Sequence, residues 1–254
     1  MASKQYPQFL LIGDSIVQYS SFLRDGFSFG AALEEHCQRR LDVINRGLSG
    51  YNTAHALAIL QDLIPSPSCA KVDYLLILYG ANDACLKGGP TGQHVPLKQY
   101  RHNLKTIITH SINTHNPTIF LITPPPINEL HLTELDLEKG HSSVTRHQKV
   151  TAQYAEVVRE VAKEYEDKKV VLVDLWEALM EARLTLTPTY EVQSEKRDDE
   201  GLRKLLVDGL HLTGAGYKVF SDTILPLVGK DWASELPEVP AWIFPHWSIA
   251  PKME

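Results

Sequence analysis

The sequence predicts an α/β fold in which a five-stranded parallel sheet carries helices on both faces. Three observations support it. Five short apolar runs, rich in leucine or β-branched residues, occupy residues 9–12, 41–45, 74–79, 118–123 and 170–174. Segments long enough for helices separate them, and several of these segments place their apolar residues on one helical face. Strands alternating with helices in this way form βαβ units, and the two sheet faces are then covered by the intervening helices. In such sheets ligands bind beyond the carboxyl ends of the strands, so the loops after the five runs are the places to look for chemistry.

The helices follow from periodicity. Leu97, Tyr100, Leu104, Ile107 and Ile108 fall on one face, as an amphipathic helix requires. Tyr154, Val157, Val158 and Val161 do the same, as do Tyr217, Phe220, Ile224 and Leu227. Two connections are long: residues 124–140, which begin Pro124-Pro-Pro126, and residues 185–201, which carry the charged run Glu195-Lys-Arg-Asp-Asp-Glu200. They are expected to be surface loops, with a lid built from residues 127–140 or 185–201 as the functional alternative. Residues 1–229 read as a single domain. Residues 230–254 hold three of the four tryptophans, Trp232, Trp242 and Trp247, and four prolines. That composition suggests an extended tail packed on the domain or on a partner chain.

Composition narrows the function. With 43% hydrophobic and 22% charged residues, the 254-residue chain can bury a core and is neither disordered nor repetitive. The net charge is −6, with no stripe of Lys or Arg, which argues against nucleic acid as a partner. No apolar stretch reaches 18 residues, so no membrane span is expected, and the N-terminal residues lack the apolar region of a signal peptide. Cys37, Cys69 and Cys85 are odd in number and lack a C-x-x-C spacing, so reduced packing thiols and a cytoplasmic location are expected. Oligomeric state stays open, with a homodimer among the options. No metal or cofactor is expected: there is no H-E-x-x-H, the pairs His110/His115 and His141/His147 have the wrong spacing for one helical face, and no G-x-G-x-x-G follows a strand.

Four short motifs remain. Gly13-Asp14-Ser15 follows the first run, and a serine between strand and helix lies among the free N–H donors of a helix start, which suits an oxyanion. A serine that merely caps the helix would look the same. Asn45-Arg-Gly47-Leu-Ser-Gly50-Tyr51 follows the second run and allows close backbone approach to a ligand. Gly80-Ala-Asn82-Asp83 follows the third and could present an amide, or form an ordinary Asx turn. Near the other end, Asp208-Gly-Leu-His211 places an Asp where it can accept from one imidazole nitrogen and leave the other free as a base. Gly26-Phe-Ser28-Phe-Gly30 matches a G-x-S-x-G elbow, but residues 20–25 are a poor strand, and the elbow needs one.

Each motif alone is common; together and in this order they are not. The sequence here resembles the SGNH hydrolases, also called GDSL esterases and lipases, over residues 9 to about 228. Gly50-Tyr51, Gly80-Ala-Asn-Asp-Ala-Cys85 and Asp208-Gly-Leu-His-Leu-Thr-Gly-Ala-Gly-Tyr217 look like the isoamyl acetate-hydrolysing esterase branch of that family. The resemblance implies a flavodoxin-like three-layer α/β/α fold. It implies a serine esterase acting on small, short-acyl esters through a triad of Ser15, His211 and Asp208. The expected oxyanion hole is the N–H groups of Ser15 and Gly50 with the side-chain amide of Asn82. Asp14 and Asp83 are read as scaffold carboxylates. Tyr51, Leu86 and Pro125 are the candidate pocket walls. Acyl transfer by the same triad and a non-catalytic binding module are the alternatives. A base at His211 predicts activity lost towards acid, as an imidazole of ordinary pKa near 6.5 protonates.

Overall fold

The computed structural model describes residues 5–141, 143–187, 200–230, 232, 242–250 and 252. The chain runs β1 (Gln8–Gly13), α1 (Ser15–Gln18), α2 (Phe29–His36), β2 (Asp42–Gly47), α3 (Thr53–Ala58), α4 (Leu60–Leu63), β3 (Val72–Leu78), α5 (Leu97–Thr114) and β4 (Thr118–Ile122). It continues through α6 (Glu129–Glu138), α7 (Gln148–Glu164), β5 (Val170–Val173), α8 (Leu175–Leu186), α9 (Glu200–Leu205) and α10 (Gly214–Ile224). All five strands are parallel, in the order β2-β1-β3-β4-β5. This is the flavodoxin-like order, and the fold class and strand count agree with the sequence reading.

The strands read as unbroken apolar runs because both of their faces are covered. Alternate residues serve opposite layers. Phe9 and Leu11 of β1 join one core, with Leu33 of α2, Leu179 of α8, Leu202 of α9 and Phe220 of α10. Leu10 and Ile12 join the other, with Leu63 of α4, Leu104 and Ile108 of α5, and Val158 and Val161 of α7. The three helices expected from periodicity, α5, α7 and α10, present the expected residues inward. Pro226 falls in a short 3-10 turn, Leu225–Leu227, that ends α10 before Leu227.

Three expectations need revising. Residues 127–140 are not a plain loop, since most of them form α6. Of the 185–201 connection, Thr185 and Leu186 belong to α8 and Glu200 and Gly201 to α9, while residues 188–199 lie outside the described residues. Cys37 and Cys85 are buried as expected, but Cys69 is exposed. In the tail, Trp232 packs beside Arg40 and His36, and Arg39 stacks on Trp242 at 3.9 Å while donating to the carbonyls of Phe244 and Pro245. Trp247 does not pack inward; it is 81% exposed. Residues 233–241 lie outside the described residues. Among the described residues no helix is long and apolar enough to cross a membrane.

An aromatic pair ties two helices of the layer behind the site. Phe220 is buried and stacks on Phe29 with ring centroids 4.6 Å apart, locking α10 to α2. Truncating such a residue removes its transfer free energy and leaves a cavity. Phe220→Ala is expected to lower stability in urea unfolding by about 3–5 kcal/mol. A loss below about 1 kcal/mol would show that the contact does not hold the layer together.

Candidate active site

The order β2-β1-β3 reverses direction at β1, and the loops after β1 and β3 border a crevice there. The first residue beyond β1, Asp14, has non-helical backbone angles, and its Oδ1 accepts from Ile16 N at 2.9 Å. Asp14, not Ser15, therefore caps α1. The Ser15 hydroxyl is left for another partner, the Nε2 atom of His211 at 2.8 Å.

His211 is set by a turn that closes on itself. Asp208 Oδ1 accepts from Leu210 N at 3.1 Å and His211 N at 2.8 Å, and its Oδ2 meets His211 Nδ1 at 2.7 Å. Between them Gly209 has φ +79°, and a Cβ there would lie 2.6 Å from the Asn128 carbonyl oxygen. Only glycine fits that turn. Burial acts to raise the Asp208 carboxyl, but the hydrogen bond to His211, its charge and the two backbone N–H groups outweigh it and hold the carboxyl well below its ordinary range. The turn is tied to the strand-β1 side by Gly214 N donating to Asp25 Oδ2 at 3.0 Å and Tyr217 Oη donating to the Ile16 carbonyl at 2.8 Å.

The other two motif residues sit across from this row. Gly50 adopts φ +81°, and its carbonyl accepts from Gln93 Nε2 at 2.7 Å. Asn82 donates from Nδ2 to the Tyr51 carbonyl at 2.9 Å and accepts at Oδ1 from Arg146 Nη2 at 2.9 Å. Asp83 accepts from Thr53 N at 3.0 Å and Thr53 Oγ1 at 2.5 Å, so it braces the β3 loop against α3 rather than capping a segment of its own. Ser15, Gly50, Asn82, Asp208 and His211 line one cavity of about 200 Å³, together with Asp136, Lys139, His141 and Arg146.

The remaining candidates lie elsewhere. Tyr51 lines a neighbouring groove with Gly50, His55 and Ile59. Leu86 and Pro125 do not line the Ser15 cavity; the Leu86 N–H is bound to the Thr145 carbonyl, and Pro125 is buried. Ser28 caps α2, accepting from Ala31 N at 3.4 Å. Among the described residues no group of three or more His, Cys, Asp or Glu is arranged to hold a metal. Arg146 and Gln93 touch the motif residues and were missed in the sequence. Both are single polar residues in segments without periodicity, and neither stands in a motif.

A parallel α/β sandwich whose crevice holds a hydrogen-bonded Ser–His–Asp row has the arrangement of a serine hydrolase. The chain belongs to the GDSL-like lipase/acylhydrolase family, whose model matches residues 11–219. It is similar to the isoamyl acetate-hydrolyzing esterase 1 homolog of Mus musculus, with 34% identity over 95% of this chain and 87% of the relative. A GDSL esterase/lipase of Arabidopsis thaliana is also 34% identical, over 95% of this chain and 93% of the relative. Among solved structures, the lipase/acylhydrolase from Enterococcus faecalis superposes with a TM-score of 0.62 at 23% identity, covering 89% of this chain and 96% of that one. An acetylxylan esterase from Geobacillus stearothermophilus gives a TM-score of 0.61 at 20% identity, covering 89% and 97%. These two structures share the fold.

Two buried carboxyls beside the site make stability depend on pH. Burial pushes Asp14 up to about 7, offset only in part by the Ile16 N–H and His211, and pushes Asp83 up to about 6 against the Thr53 hydrogen bonds. Both start from an ordinary value of 3.8, so the folded chain holds these protons more tightly than the unfolded chain. Stability is then lost as pH rises from about 4 to about 7. Asn keeps the acceptor that Ile16 uses and cannot ionise. Asp14→Asn is expected to gain on the parent between pH 4 and 8, by up to about 4 kcal/mol. Parallel stability–pH curves from urea unfolding would refute the burial account.

Proposed function

We propose that this serine esterase hydrolyses small, short-acyl esters through an acyl-enzyme, with Ser15, His211 and Asp208 as its triad. The unbroken row from Ser15 Oγ through the His211 ring to Asp208 carries the reading, with contacts of 2.8 and 2.7 Å. Ser15 Oγ attacks the ester carbonyl carbon as its proton passes to His211 Nε2. The tetrahedral intermediate collapses as His211 returns that proton to the leaving alcohol, and an ester to Ser15 remains. Water then attacks, again losing a proton to His211, and the acid departs as Ser15 takes the proton back. Asp208 holds Nδ1 protonated and stabilises the imidazolium formed in each half.

Charge developing on the carbonyl oxygen is met by the N–H groups of Ser15 and Gly50 and by Asn82 Nδ2. Removing one such donor costs about 2.7–4 kcal/mol of barrier. Preference for acetate-like acyl groups is supported by the small cavity and by the similarity to isoamyl acetate-hydrolyzing esterase 1 homologs.

Fluorophosphonate labelling tests the nucleophile. Label is expected on the parent and on Ser28→Ala, and lost in Ser15→Ala; label retained in Ser15→Ala refutes the assignment. Asn82→Ala is expected to lower kcat by roughly 100- to 1,000-fold while unfolding as the parent does. Turnover equal to the parent would remove Asn82 from the oxyanion hole. In a series of p-nitrophenyl esters from acetate to decanoate, kcat/KM is expected to fall with acyl length, and a rise would overturn the short-acyl preference.

A further inference from the structure

Resting on the reading of Asn82 as an oxyanion donor, we infer that Arg146 is a positioning residue that orients and polarises the Asn82 amide. Arg146 is almost fully buried, and its guanidinium makes three directed hydrogen bonds. Nε donates to the Ala81 carbonyl at 2.7 Å, Nη2 to Asn82 Oδ1 at 2.9 Å and Nη1 to Thr145 Oγ1 at 3.2 Å. Thr145 is itself fixed, donating to Asp136 Oδ2 from its backbone N at 3.1 Å and from its hydroxyl at 2.5 Å. Among the described residues no carboxylate forms an ion pair with Arg146. A buried charge is costly unless it is satisfied, and this one is spent on neutral oxygens, two of them in adjacent residues of the loop after β3.

The consequence for Asn82 is specific. An amide has two faces of opposite character, an acceptor oxygen and a nitrogen with two N–H groups. A flipped Asn82 would set its NH₂ against a guanidinium that has only donors, and its oxygen against the Tyr51 carbonyl, which has only lone pairs. Both contacts would be repulsive, so Arg146 and Tyr51 allow one orientation. In it, one N–H serves Tyr51 and the second is available to the cavity that Ser15 and His211 line. A cation bound at Oδ1 also draws electron density from the amide nitrogen, so the free N–H becomes a stronger donor as charge develops on a substrate oxygen. Oxyanion stabilisation depends on such preset donors, and so the contribution of Arg146 is to turnover rather than to substrate binding.

The test is a double-mutant cycle on p-nitrophenyl acetate hydrolysis, with kcat and KM measured for Arg146→Met and Arg146→Lys, each in the parent and in the Asn82→Ala background. In the parent, Arg146→Met is expected to lower kcat about 10- to 100-fold with KM changed less than about threefold. In the Asn82→Ala background the same substitution is expected to cost less than about threefold, because its target is gone. Lysine keeps the charge but lacks the rigid planar fork that aims separate N–H groups at the Ala81 and Asn82 oxygens, so Arg146→Lys should fall between Met and the parent. Should Arg146→Met lack a cooperative thermal transition, the Arg146→Lys arm decides by the same comparison. Equal losses in the two backgrounds, or parental kcat in folded Arg146→Met beside a slow Asn82→Ala enzyme, overturn the inference while leaving the oxyanion reading intact. Parental turnover in Asn82→Ala alone overturns both.

Discussion

The reversal of strand order at β1 is the constraint on which the site depends. Because β1 lies between β2 and β3, the loops after these three strands meet at one end of the sheet. They carry Ser15, Gly50 and Asn82 in turn. The sheet alone cannot supply His211, which contacts Ser15 from 196 residues away. That contact comes from packing: α10 stacks on α2, and the Tyr217 hydroxyl reaches the Ile16 carbonyl just beyond the serine. Sheet topology thus sets where Ser15, Gly50 and Asn82 converge, and helix packing brings His211 to them.

The site concentrates polar groups where the fold would otherwise bury apolar ones. Asp14, Asp83, Asn82, Thr145 and Arg146 are all buried. Such groups are tolerated when hydrogen-bonded, and most of these are. Thr53 illustrates the economy: its hydroxyl donates to Asp83 and accepts from Asn103 Nδ2 at 2.9 Å, so one small side chain connects α3, α5 and the β3 loop. Gln93 plays a similar part on the other side, with its side chain on the Gly50 carbonyl and its own carbonyl accepting from Asn52 at 2.8 Å. The glycine and the asparagine of the motifs are each held by a residue outside any motif.

This division explains what could be read from sequence. Strands buried on both faces appear as continuous apolar runs, and the observed strands lie within about two residues of those expected. Asp208 and His211 were readable because their geometry is local, a turn of four residues. Helix α6 was not, because Leu130, Leu132, Leu135 and Leu137 spread around the helix instead of lining one face, leaving Leu130 37% and Leu137 58% exposed. Arg146 was invisible for a different reason. Its acceptors on Ala81 and Asn82 lie 65 and 64 residues away, and an isolated arginine between two connections looks like a surface residue until the fold brings them together.

Asp14 and Asp208 show how one site assigns opposite tasks to the same side chain. Asp208 is partly open to solvent and receives two backbone N–H groups and the imidazole, so it stays anionic and can balance an imidazolium. Asp14 is fully buried, and its Oδ2 has no hydrogen-bond partner among the described residues, so burial drives it towards the neutral acid. That difference serves the proposed chemistry. A second anion at the start of α1 would repel the negative charge that the ester carbonyl oxygen acquires beside Ser15, cancelling part of what Gly50 and Asn82 supply. A cap that bonds Ile16 through one oxygen while tending to hold a proton keeps the helix start ordered without placing a full negative charge next to the oxyanion.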